Sequence, residues 1–220
     1  MTKKRKAPPQ ARMEADDTEQ QILAAARAVF LRRGTAGARM QEIADEAGVN
    51  PALLHYYFRS KERLAEAVFR GVAARLIPSV IAVLGSDDSI EVKVERFVHF
   101  YLDFLTEHPF VPAYIISELH QQPERVAQIL TAAAAMRPDH IGSALLEKLG
   151  TQLDERATAG TLRRIAPEQF IINLLSLCIF PFAARPLLSM MLGVDVAAFA
   201  RMIERRKVEL PVFFLAALRP

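Results

Sequence analysis

The apolar positions recur at helical spacing along almost the whole chain. Between Met40 and Arg59 two short stripes face each other across a break. Ile43, Ala44 and Ala47 stand at i, i+1 and i+4, and Leu54 and Phe58 at i and i+4. Gly48 lies between them, where a left-handed residue ends a helix without a Cβ penalty. Asn50 is a good N-cap for the second helix, and Pro51 sits where a missing N–H costs nothing. Upstream, Ile22, Ala26, Val29 and Phe30 form the stripe of a supporting helix. Thr18-Glu19-Gln20-Gln21 has the form of a capping box at its start, and Arg32-Arg33-Gly34 closes it. Downstream, Ser60 can cap a helix carrying Leu64, Val68 and Val72, predicted to stop before Pro78.

Beyond Pro78 the pattern stays helical. Residues 85–89 read as a loop. Val94, Phe97, Val98, Tyr101, Leu102 and Leu105 form an amphipathic helix ending at His108-Pro109. Further helices are predicted from Pro112, from Pro123, and around Ile141 to Leu149. Residues 152–164 read as a polar loop. Pro167 opens an apolar helix over 170–184. Pro186 and Gly193 bracket a connection to a last helix from Val196, which Pro211 should kink. Strict alternation is missing over any usable run, so the expected class is all-α.

Charge sharpens this picture. Residues 1–75 hold 14 Lys and Arg against 9 Asp and Glu, while the remainder holds 14 against 16. The basic excess lies with the paired short helices, which suits a polyanionic partner for that half. Residues 1–15, with Lys3, Lys4, Arg5 and Lys6 before two prolines, are expected to be a disordered basic arm able to reach phosphates. The lone Cys178 supports no internal disulfide, and no apolar leader follows the basic start, so a cytoplasmic location without a membrane partner is expected. Catalysis finds little support. The five histidines lack metal-ligand spacing, no Gly-rich phosphate loop exists, and Cys178 has no basic neighbour in sequence. No metal or cofactor is expected.

The run Ile43-Ala44, Ala47-Gly48-Val49, Leu54, Tyr57-Phe58, Ser60-Lys61-Glu62 and Leu64 resembles the DNA-binding head of the TetR (tetracycline-repressor-like) family, over about residues 18–71. The resemblance implies a homodimeric helix-turn-helix transcriptional regulator. The arm is then followed by a DNA-binding domain over 16–77, with its motif at about 40–59, and by a helical effector-binding and dimerisation body over 78–220. By the same resemblance Tyr57 and Lys61 match phosphate-holding positions, and His55 and Tyr56 match positions touching bases or backbone. Asn50, Pro51, Ala52 and Leu53 form the front of the reading helix. Ala52 and Leu53 suit thymine methyls, and His55 a base edge. Arg39 stands where many members carry Ser or Thr.

The resemblance implies an unidentified small effector and gives the body two roles. Candidate residues around a largely apolar effector are Phe97, Tyr101, Phe104, Phe110, Tyr114, His120, Met136, Phe170 and Cys178, with His99 as a second polar candidate. Candidates for the dimer interface are Leu174, Leu175, Phe199, Met202 and Ile203. The expected function is a repressor released from a palindromic operator by ligand. The competing reading is a helical small-molecule-binding protein or enzyme whose head no longer reads DNA.

Overall fold

The computed structural model describes residues 9–134 and 138–220, with side chains from residue 16 onward except those of 138–142 and 144. Among the described residues there are eleven helices and no strand. They form two compact units, with the boundary between Val72 and Ala73.

The first unit is built on α1 (Pro9–Gly37), α2 (Met40–Ala47), α3 (Pro51–Phe58) and the first half of α4 (Lys61–Leu84). Ile22, Ala26, Val29, Ile43, Ala44, Leu54, Leu64 and Val68 close its core. α1 begins at Pro9, so the expected arm is helical from residue 9 onward, and its first eight residues lie outside the described region. Thr18 is therefore inside a helix. Gln21, read as the far end of a capping box, instead donates to the Ala47 carbonyl at 2.8 Å. Gly34, with φ 67°, breaks α1 where the sequence predicts its end. Arg32 and Arg33 then reach Glu46 and Glu42 at 2.6 and 3.4 Å and tie α1 to α2.

α4 runs through Pro78 to Leu84, against expectation. Pro78 is exposed, whereas Leu76, Val83 and Leu84 on either side are buried. Burial of that stripe outweighs one missing backbone hydrogen bond. By length and composition α4 is also apolar enough to cross a bilayer.

The second unit takes α4 from Ala73, then α5 (Ile90–Glu107), α6 (Val111–Gln121), α7 (Pro123–Ala134), α8 (Pro138–Thr158), α9 (Pro167–Ala183), α10 (Arg185–Leu192) and α11 (Val196–Ala216). α5 is its axis and packs on α9 and α11. Phe97 and Phe170 are fully buried, and Phe170 meets Phe214 edge-on at 5.1 Å. The predicted polar loop at 152–164 is helical as far as Thr158. Lys148, Gln152 and Arg156 stand at i, i+4 and i+8 on one face of α8. Lys148 meets Asp87 at 2.7 Å, and Arg156 grips Glu91 with two bonds of 2.7 and 3.0 Å. Between them Gln152 accepts from Lys93 at 2.5 Å, and Lys93 also donates to the Leu84 carbonyl at 2.8 Å. Lys93 is fully buried, and desolvation lowers its pKa. A ladder of partners distant in sequence thus holds a helix that looks like a loop when read alone. Residues 185–192, read as a connection, form α10, and α11 continues past Pro211 to Ala216.

Candidate nucleic-acid interface

Local chemistry shapes the reading pair. Gly48 ends α2 in the left-handed conformation (φ 65°), and Gly48 and Val49 donate to the Asp45 and Ala44 carbonyls. Asn50 caps α3, its side chain accepting from the Ala52 N–H at 2.8 Å, with Pro51 in the first turn. Leu54 and Phe58 are buried and fix the roll of α3. That roll leaves Ala52, Leu53, His55 and Tyr56 exposed and Tyr57 half-buried, with Tyr56 the most open at 77%. The Tyr56 and Tyr57 rings meet edge-on at 5.6 Å. His55 Nδ1 lies 3.3 Å from the Arg59 carbonyl, which can only accept, so Nδ1 donates there and Nε2 is the ring nitrogen left to meet a base edge.

Arg39 precedes α2 in extended conformation and is exposed, without a side-chain cap. Lys61 has a partner within the head. It opens α4, and its ammonium donates to the Ala36 carbonyl at 2.9 Å, at the C-terminal end of α1. Between α3 and α4 lies a feature that helical spacing does not encode: Arg59 has φ 59° and ψ −41°, and the Ser60 N–H donates to the Phe58 carbonyl at 2.6 Å. This is a tight γ-turn with a non-glycine residue at positive φ, a strained arrangement of the kind that gathers at functional sites. Arg59, Arg63 and Arg70 edge a cleft of about 610 Å³ beside Tyr57, which Glu19 and Glu66 also line.

In the body, five effector candidates are brought together. Phe97 stacks on Tyr101 at 5.0 Å, Tyr101 lies 6.5 Å from Phe104, and Phe170 and Cys178 are buried beside α5. Burial pushes the Tyr101 hydroxyl upward and the Cys178 thiol to about 12, which leaves that thiol unreactive. The aromatic row continues through His108, 4.8 Å from Phe104, to Phe110. Tyr114 is buried on α6. His120 and His99 are exposed, and His120 Nδ1 donates to the Ile116 carbonyl. Among the described residues the buried imidazole is His108, read from sequence only as a helix end. Met136 lies outside the described residues.

The dimer candidates divide. Leu174, Phe199 and Ile203 are inside the protomer's own core, and Leu175 and Met202 are half-buried. The large apolar side chains facing solvent on α9 and α11 are Ile172, Phe180, Val196, Val208, Val212 and Phe213. α9 is apolar on nearly all sides, so its inward face could not be read from periodicity.

Two short helices joined at a left-handed glycine, the second presenting its front to solvent, make a helix-turn-helix DNA reader. Residues 22–68 match the family model described as "Bacterial regulatory proteins, tetR family", and residues 91–209 match "Tetracyclin repressor-like, C-terminal domain". The chain belongs to the tetR family, and it is a DNA-binding transcriptional regulator, not an enzyme. It is 29% identical over 191 residues to the HTH-type transcriptional repressor NicS of Pseudomonas putida, covering 84% of each chain. It is 32% identical over 126 residues to the HTH-type transcriptional activator FasR of Mycolicibacterium smegmatis, covering 56% of this chain and 57% of that one. Among solved structures, the regulator FadR from Bacillus subtilis in complex with stearoyl-CoA shares the fold, with a TM-score of 0.58 at 15% identity, over 91% of this chain and 99% of that one.

Proposed function

We propose that this regulator works as a homodimer, a repressor released from a palindromic operator by a small, largely apolar ligand. The observation carrying the DNA side is the anchored roll of α3, which buries Leu54 and Phe58 and leaves Leu53, His55 and Tyr56 open to a groove. In this reading Ala52, Leu53 and His55 read base edges from the front of α3, behind Asn50 and Pro51. Arg39, Tyr56, Tyr57 and Lys61 hold phosphates. One head reads one half-site; two are needed to span about 34 Å, one turn of duplex.

Support for the effector reading comes from the aromatic row of Phe97, Tyr101 and Phe104, and from the stearoyl-CoA carried by FadR. Release would act through α4, the helix both units share: Lys61 ties its start to α1, and Lys93 holds its last carbonyl. A ligand that prefers one arrangement of the body shifts the population toward one setting of α4. Repression follows NicS, and the activator FasR marks the other sense. The place of action is the cytoplasm, where operator DNA lies.

Selection of bound fragments from random duplex DNA tests the proposal. An inverted repeat with half-site centres about one helical turn apart supports it. Enrichment of a single unrepeated site, or no enrichment at low salt, would reject it.

A further inference from the structure

Among the described residues the most exposed apolar surface of the body lies on α10, which has no part in effector or DNA binding as proposed. All eight of its residues, Arg185–Leu192, escape full burial. Leu187, Met190, Met191 and Leu192 on it, with Phe180 before it and Val196 after it, are 46 to 76% exposed. From Phe180 to Val194 the only charged residue is Arg185, and its guanidinium sits 4.8 Å from the Phe199 ring centre. An eight-residue helix is too short to persist on propensity alone. A patch this size also exceeds what a soluble monomer ordinarily leaves to water.

We propose that α10 is a clasp covered by a second copy of this chain, together with the solvent-facing apolar stripes of α9 and α11. The inference rests on the homodimer reading. Two observations choose a second copy as the occupant. The first is continuity: Phe180 ends the open stripe of α9 and begins the α10 patch, and Val196 begins α11. The second is area. At about 200 Å² for a fully exposed large apolar side chain, Ile172, Val208, Val212 and Phe213 offer about 500 Å² per protomer. Two such stripes supply about 1,000 Å² of apolar surface, which at roughly 65% apolar character makes an interface of about 1,500 Å², the standard size of a stable complex but below that of obligate homodimers. The α10 patch adds about 750 Å² per protomer and brings the total into the range above about 2,000 Å² typical of permanent homodimers. Methionine suits such a face, because its flexible thioether side chain repacks against a neighbour.

The test uses the full chain. Met190→Glu with Met191→Glu alters only exposed positions, so circular dichroism and thermal unfolding should match the parent. The dimer dissociation constant from sedimentation equilibrium should then rise at least 100-fold. In a second variant, Met190→Cys, the native Cys178 is buried and inert, so maleimide labelling reports position 190 alone. Labelling should slow more than tenfold from nanomolar to micromolar protein. A parent protein that stays monomeric removes the dimer reading and the clasp together. A stable parent dimer whose double variant dimerises equally well, with position 190 labelling freely, removes the clasp alone. Labelling suppressed by phosphatidylcholine vesicles but not by protein concentration assigns the face to a lipid surface and likewise overturns the proposal.

Discussion

Lys61 separates two explanations of one side chain. In the free protein its ammonium donates to the Ala36 carbonyl at 2.9 Å, and the side chain is half-buried. If that bond were its whole purpose, Lys61→Met would weaken only the head. A solvent-exposed hydrogen bond from an ammonium to a backbone carbonyl contributes about 0.5–1 kcal/mol. Such a loss should lower the melting temperature by about 1–4 °C for a chain of this length. If the ammonium also neutralises a phosphate, each head should lose about 0.9 from the slope of log K against log salt, and two heads about 1.8. Raising salt from 0.1 to 0.3 M should then narrow the gap between variant and parent by about sevenfold. The assay is fluorescence anisotropy with a labelled duplex across 50–300 mM KCl, beside a thermal melt of each protein. A lower melting temperature with an unchanged slope would refute the phosphate role and leave Lys61 as a clamp between α1 and α4.

Other outcomes follow from named contacts. Arg59→Gly relieves a non-glycine residue of positive φ and should raise stability by about 1 kcal/mol in urea unfolding. A fall in DNA affinity beside that gain would show that the strained turn serves to aim α3. Leu53→Ala should change which bases are preferred in the selected fragments, costing about 1–3 kcal/mol at the favoured site, while leaving binding to bulk DNA within a few-fold. Glu91 is held near 2, well below the usual carboxylate value, chiefly by the Arg156 hydrogen bonds. Its pairing therefore contributes stability that is fully present above about pH 4.5 and lost as pH falls toward 2. The pair is partly exposed, so Glu91→Gln should cost about 1 kcal/mol at pH 7, with the difference shrinking to near zero by pH 2 in denaturant titrations at each pH. Phe170→Ala, at a fully buried position against Phe214, should cost about 3–5 kcal/mol by urea unfolding.

The reading pair was determined by the sequence alone because its causes are local. Gly48, Asn50 and Pro51 set the turn within four residues, and Leu54 and Phe58 set the roll within eight. Helical class was equally plain, since periodicity survives without knowledge of partners. Tertiary structure decided whatever needed a partner far along the chain. Pro78 reads as a stop, yet the buried stripe on either side of it carries α4 onward. Residues 152–158 read as a loop, and become helix because Lys93 and Glu91, some sixty positions earlier, receive Gln152 and Arg156. Lys61 looks like a bare cation until Ala36, 25 residues before it, presents a carbonyl. Leu174, Phe199 and Ile203 are as apolar as Ile172, Val208 and Phe213. Composition cannot separate the two sets, and only packing against α5 turns the first set inward and leaves the second facing solvent.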